Sequence, residues 1–291
     1  MCCKGTGYPA LAERRELAYN LSNGSNDMEK IGFIGMGNMA TAIARGFIKS
    51  GSVPKENVRA FAPNQTKLAE NAKNIGFTPC GDIIEMVKDC DTLIMACKPY
   101  QIRDVLAQIQ GELTGKALIS IAAGWVFDTY HDMLGDKVKI LCIMPNTPAM
   151  VGQGVILFEQ KTSFTDKEIE TARALFGTLG LVETLPTSLM GIGGAISGCG
   201  PAFMDVIMEA YADAAVKYGI SRDLAYRLVS QTMLGSARLQ QVTGSHPGVL
   251  KDAVCSPNGT TIRGVDTLEK NGVRGSLISS IDAIMDYKLK K

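Results

Sequence analysis

The sequence predicts a doubly wound α/β domain followed by an all-α domain. Three observations lead there. From residue 31, short β-branched runs alternate with segments of helical period, the pattern of a parallel sheet covered by helices. The chain's 31 glycines are clustered rather than spread evenly. Beyond about residue 187 the strand signal ends and long helical segments take over. A length of 291 residues also accommodates two domains of roughly 150 residues each.

The expected strands are Ile31–Ile34, Val58–Ala62, Thr92–Ala96, Ala117–Ala122 and Val138–Ile143, with helices over Ala40–Lys49, Gln65–Ile75, Ile83–Lys88, Ile102–Ile109 and Phe127–Leu134 between and after them. Two more strands, Val155–Phe158 and Val182–Leu185, flank a helix that opens on a Thr165 cap with Glu168 three residues later and is expected to close at Gly180. Helices then follow over 201–218, 221–242, 260–270 and 273–289. The first of these is Ala-rich and apolar on more than one face, so it must be sandwiched, either inside a helical domain or at a subunit interface. The first 27 residues show neither a signal nor a transit pattern and are expected to be a disordered extension ahead of a start at Met28. The two domains are expected to run 28–187 and 188–291.

Composition narrows the chemistry. Thirty Lys+Arg against 29 Asp+Glu leave no global field to draw in nucleic acid or an anionic membrane. With 46% hydrophobic and 20% charged residues, the chain can bury a core and is not disordered overall. Eight cysteines without a C-x-x-C pair point to a reducing compartment, the cytoplasm, and not to zinc or disulfides. His131 and His246 are expected in ordinary surface or loop roles. The uncharged windows 140–158 and 184–204 are broken by Pro145, Asn146 and Pro148 and by Pro186, Pro201 and five glycines, so neither is expected to span a membrane. There is no G-x-S-x-G elbow and no phosphate-binding P-loop.

The first strand ends in Gly35, Gly37 and Ala40, spaced as G-x-G-x-x-A before a helix. In a Rossmann-like domain this is a pyrophosphate site: Gly35 for the tight turn, Gly37 for close approach and Ala40 for packing, with the helix amides facing the ligand. After the second strand, where an acid would mark NAD, stand Asn64, Thr66 and Lys67, which favours NADP. Cys97, Lys98 and Pro99, and Ala122, Ala123 and Gly124, follow later strands at the edge where ligands bind. Asn146, between Pro145 and Pro148, could fix the nicotinamide or the substrate, or simply stiffen a turn. In the second domain, SPNGTTIRGV places the amides of Gly259, Thr260 and Thr261 at a helix start suited to a carboxylate.

FIGMGNMA, ACKPYQI, ISIAAGW, MPNTPAMVGQG, ISGCGPAF, QTMLGSARL, HPGVLKDAV and SPNGTTIRGVDTLE occur in order over about residues 30–289. In these segments the chain resembles the pyrroline-5-carboxylate reductases. The resemblance implies NAD(P)H-dependent reduction of 1-pyrroline-5-carboxylate to L-proline; the residues after the second strand make NADPH the expected donor, with NADH usable. It also implies a homodimer through the carboxyl-terminal helices, in many members assembled to a decamer. By the same resemblance Gly35, Met36, Gly37, Asn38 and Met39 hold the pyrophosphate, and Ala96, Cys97, Lys98, Pro99, Ala122, Ala123 and Gly124 line the cofactor cleft. Gly259, Thr260 and Thr261 hold the substrate, with the Thr261 hydroxyl at the imine nitrogen. Ile34, Asn64 and Asn146 are expected at the cofactor from their places at the strand ends, Asn64 at a 2′-phosphate.

The sequence departs from the family pattern at Asn258, where Gly is common, at Cys199 for Ser, at Cys142 for Arg, and at Ile83, where an Asn often touches the ribose. A left-handed Asn tolerates the first of these positions. A β-hydroxyacid dehydrogenase, the rival enzyme, needs a Lys base that GGAISGCGPAFMD lacks. A non-catalytic NADP-binding paralogue is the other alternative, and the intact SPNGTT and MPNTP loops argue against it.

Overall fold

The computed structural model describes residues 28–289, which form two compact units, 28–198 and 199–289. The extension expected over 1–27 lies outside the described residues. The first unit is an eight-stranded sheet of order β3-β2-β1-β4-β5-β6-β7-β8. Its strands are β1 (Ile31–Ile34), β2 (Val58–Phe61), β3 (Thr78–Pro79), β4 (Thr92–Met95), β5 (Ala117–Ser120), β6 (Lys139–Met144), β7 (Gly154–Glu159) and β8 (Gly180–Leu185). The first six run parallel; β7 is antiparallel to β6, and β8 is parallel to β7. Helices α1 (Asn38–Ser50), α2 (Gln65–Ile75), α3 (Ile83–Asp89), α4 (Ile102–Ile109), α5 (Phe127–Leu134) and α6 (Asp166–Gly177) connect them.

Strand alternation divides the core between the two faces. Ile31 and Phe33 of β1 and Ile94 of β4 join Phe47, Phe158 and Phe176 in one cluster, whereas Ile34, Leu93 and Met95 join Met86, Leu106 and Tyr130 in the other. All four residues of β1 and of β4 are buried, as central parallel strands with both faces covered require.

Three expectations are corrected. Helix α6 opens on the Thr165–Glu168 capping box as expected but stops at Gly177, not Gly180. Gly180 instead begins β8, where a Cβ would lie 1.9 Å from the Gly154 carbonyl oxygen, so the two strands approach too closely for any other residue. Helix α7 (Thr187–Gly194) was not expected; it packs on β7 and β8. The prolines of 184–204 do not break the chain as expected either: Pro186 precedes α7, a π-turn over Ala195–Cys199 follows, and Pro201 falls in the first turn of α8 (Gly200–Lys217). The helical run Thr187–Lys217 is therefore long and apolar enough to cross a membrane by length and composition alone.

The second unit consists of α8, α9 (Arg222–Thr243), α10 (Pro247–Ala253), α11 (Thr260–Lys270) and α12 (Val273–Leu289). Among its described residues only Ala212 and Ala225 are buried. Val206, Tyr211, Leu228, Leu234, Leu239, Val249 and Ile278 are each at least 40% exposed, and Tyr211, Leu228, Val229 and Met233 line an apolar groove of about 450 Å³. In a single chain this unit therefore leaves most of its apolar side chains uncovered.

Candidate active site

The register of the sheet builds the cofactor end. Ile34 pairs with Phe61 on one side and Met95 on the other; Met95 pairs with Ser120, and Ser120 with Cys142. The carboxyl ends of β2, β1, β4, β5 and β6 thus fall in one line. The segments expected to bind the cofactor, 35–39, 62–64, 96–99, 122–124 and 145–146, leave the sheet from that edge. It includes the point where strand order reverses, between β1 and β4.

At that point Gly35 has φ +97°, and its amide donates to the Phe61 carbonyl at 2.8 Å. A Cβ there would lie 2.8 Å from the Cys97 nitrogen and 2.9 Å from the Ala96 carbonyl, so conformation and backbone crowding both demand glycine. A Cβ on Gly37, by contrast, would meet nothing within 4 Å. Gly37 is the N-cap of α1, which carries no acid in its first turn, and among the described residues no side chain caps it. The helix amides therefore face open space over Gly37, as a pyrophosphate requires, while Ala40 is buried beneath. Helix α1 starts at Asn38 rather than Ala40, directly behind the glycines.

Past β2, Thr66 and Lys67 are exposed in the first turn of α2, which carries no acid, and Glu70 stands one turn further along the helix. Asn64 is partly committed, because its Oδ1 accepts the Lys67 amide at 3.0 Å as the cap of α2. Ile83, buried in the core at the start of α3, offers no polar group. At β4, Ala96 donates to Ile34, and the half-buried Cys97 thiol, pushed up to about 11 by burial, stays protonated. Lys98 and Pro99 are exposed.

At β5, Ala123 and Gly124 are exposed, with Gly124 at φ +81°. Their loop is braced by residues that sequence reasoning missed. Buried Ser120 accepts the Ala122 amide at 3.2 Å and shares a hydrogen bond of 2.8 Å with the Tyr130 hydroxyl. Burial raises the Tyr130 hydroxyl far above its ordinary range, so it stays protonated and neutral. Glu159, 2% exposed, accepts the Phe127 amide at the start of α5 and the Thr187 hydroxyl at the start of α7. Asn146 is 6% exposed, and both ends of its carboxamide are engaged within the protein: Oδ1 accepts the Val155 amide at 2.8 Å and Nδ2 donates to the Ser197 carbonyl at 2.9 Å. These two bonds tie the loop down from within.

In the helical unit Asn258 has φ +58°, the left-handed conformation expected for it. Gly259 is the N-cap of α11, and a Cβ on it would lie 2.4 Å from the Ser256 Oγ. Its amide donates to the Ser256 carbonyl at 3.0 Å, so of the three amides expected to bind a carboxylate it is occupied by its own turn. Thr260 and Thr261 stand exposed in the first turn, with no acid among their neighbours there. The Arg263 guanidinium, another group missed in the sequence, bonds the Asn258 side chain at 2.7 Å beside the same helix start. The histidines do structural work: His246 caps α10 through Nδ1, and His131 stacks on Phe127.

Residues 30–124 match the family model "NADP oxidoreductase coenzyme F420-dependent", and residues 187–290 match "Pyrroline-5-carboxylate reductase dimerisation". The pyrroline-5-carboxylate reductase of Treponema pallidum is 39% identical over 259 residues, covering 88% of this chain and 98% of that protein. The chain belongs to the pyrroline-5-carboxylate reductase family. The Escherichia coli reductase is 36% identical over 90% of this chain and 98% of its own. A crystal structure of the Plasmodium falciparum pyrroline carboxylate reductase with NADP bound superposes with a TM-score of 0.81 at 32% identity, over 89% of this chain and 97% of that one. Membership in the reductase family excludes the rival β-hydroxyacid dehydrogenase assignment.

Proposed function

We propose that the protein reduces 1-pyrroline-5-carboxylate to L-proline with NADPH, the last step of proline biosynthesis. The observation that carries this reading is the aligned edge of five strands. There Gly35, Gly37 and the uncapped start of α1 offer a dinucleotide cradle, in a chain 39% identical to a pyrroline-5-carboxylate reductase along nearly its whole length.

Bound NADPH supplies the hydride for the imine carbon, and the nitrogen gains a proton, so C=N becomes CH–NH. The chain's own task is chiefly alignment, to within roughly 3–3.5 Å. Ile34 to Met39 hold the pyrophosphate end. Asn64, with Thr66 and Lys67, receives a 2′-phosphate. Ala96 to Pro99 and Ala122 to Gly124 line the cleft, with Asn146 fastening the loop behind it. The Thr260 and Thr261 amides meet the substrate carboxylate beside Gly259, and the Thr261 hydroxyl steadies the proton at nitrogen. A protonated imine is already electrophilic, so no strong acid is required of the protein. The division of labour follows the expected domains, 28–187 for the cofactor and 188–291 for dimerisation and substrate.

The active species is a homodimer through α8–α12, whose apolar faces a second copy covers, and dimers assemble further to a decamer. The sheet under α7 and that face on α8, and not a bilayer, account for the apolar run Thr187–Lys217. The six described cysteines are free, in keeping with the cytoplasm. The test follows loss of NADPH absorbance with synthetic 1-pyrroline-5-carboxylate, in parallel with NADH and with 3-hydroxy acids plus NADP. Oxidation with the pyrroline is expected. Inertness toward it, with NADPH still bound, would leave the non-catalytic paralogue.

A further inference from the structure

The π-turn over Ala195–Cys199 stands between the sheet unit and the helical unit in the chain, and its cause is local. In an α-helix the carbonyl of Ser197 would accept the amide of residue 201. Residue 201 is a proline, which has no amide hydrogen and whose ring crowds that same carbonyl. The Ser197 carbonyl is instead met by Nδ2 of Asn146 at 2.9 Å. Asn146 belongs to the loop after β6, at the edge where the cofactor segments emerge, and its other end accepts the Val155 amide of β7. Being 6% exposed, the carboxamide has little access to solvent, and losing either partner would strand a buried polar group.

We infer that Asn146 is a positioning residue for the reduction: it supplies the hydrogen bond that Pro201 cannot, and so fixes the turn leading into the helical unit against the cofactor-bearing edge. The inference rests on the reductase reading for its catalytic consequence, because hydride transfer is sensitive to errors of an ångström in how donor and acceptor are held. Asparagine is the side chain suited to the task. Aspartate keeps the acceptor for Val155 but turns an oxygen toward the Ser197 carbonyl, and alanine loses both bonds.

The test is a double-mutant cycle on the full-length enzyme with Asn146→Asp, Pro201→Ala and both together. Turnover, KM for the pyrroline, NADPH affinity by fluorescence and Tm are measured for each. Asn146→Asp is expected to lower turnover about tenfold while NADPH affinity stays within about twofold. With Pro201→Ala the Ser197 carbonyl regains a backbone donor, and the same Asp substitution should then cost less than about threefold. Equal losses in both backgrounds would overturn the inference, as would a loss of turnover that only tracks the folded fraction. If Asn146→Asp alone does not fold, a folded and active double variant supports the inference, and a double variant that also fails to fold overturns it. Wild-type activity is measured first, so failure of the reductase reading is seen separately; the 146–201 coupling in Tm still decides whether Asn146 substitutes for the missing amide.

Discussion

Single residues in the cofactor turn carry constraints that can be separated. Gly35 is required by both conformation and space, because φ is +97° and a Cβ would press on backbone atoms of Ala96 and Cys97 that cannot yield. Gly35→Ala should therefore destabilise the sheet unit by about 2 kcal/mol and raise the KM for NADPH; chemical denaturation and initial rates check both. Gly37→Ala meets open space, so its fold should survive and its cost should appear in cofactor affinity alone. At the other end of the reaction, Thr261→Ala removes a hydroxyl from an exposed helix start. Turnover should fall by roughly 10²-fold with NADPH affinity nearly unchanged, and full activity in that variant would remove Thr261 from the mechanism. The glycines were legible in the sequence because strand, turn and helix surround them in order. The braces Ser120, Tyr130 and Glu159 were not, because each acts across 10 to 32 residues on an amide or hydroxyl whose position only the fold reveals.

Elements with local signals were read closely from sequence. Helices α2, α4 and α5, and also α11 and α12, have the expected bounds, since period, caps and terminal glycines all lie within the segment. What failed was a pair of judgements about Gly and Pro. Gly180 was taken as a helix stop although its true constraint is the Gly154 backbone of a neighbouring strand, and Pro201 was taken as a break although a π-turn and the first turn of α8 absorb it. The capping box of α6 adds a measurable pH dependence. Glu168 loses hydration on burial, but the Lys139 ammonium and the Thr165 amide and hydroxyl outweigh that and hold its carboxyl below the usual range. A carboxyl lowered in the folded state binds fewer protons there than in the unfolded chain. Its stabilisation is complete above the unfolded value, near 4.5, and fades as pH falls through the folded one. Glu168→Gln should cost about 1 kcal/mol at neutral pH and flatten the acid side of a Tm–pH profile; an unchanged acid slope would show that other carboxylates set it.

For the whole molecule, the two units are stabilised in different ways. Among the described residues the sheet unit holds nearly all of the buried apolar side chains, with Phe33, Phe47, Phe158, Phe176 and Tyr130 essentially inaccessible, whereas the helical unit buries two alanines. Helices α8 and α9 pack on one another, yet their apolar residues stay largely exposed in a single chain. If a second copy covers that face, folding of the helical unit and assembly are one event, and its apparent stability depends on protein concentration. Leu228→Glu tests this directly. Leu228 lines the apolar groove and is 49% exposed within one chain, so a carboxylate there costs the isolated chain little but is trapped without a partner when a second chain closes over it. Sedimentation should show monomer at concentrations where the wild type is a dimer. NADPH should still bind, because Gly35, Gly37 and the aligned strand ends belong to the sheet unit. Turnover should fall at least 10²-fold, since the proposed reaction needs Thr261 held in place and the helices that carry it would lose the cover of a second copy. A dimeric, active Leu228→Glu variant would place the interface elsewhere on these helices.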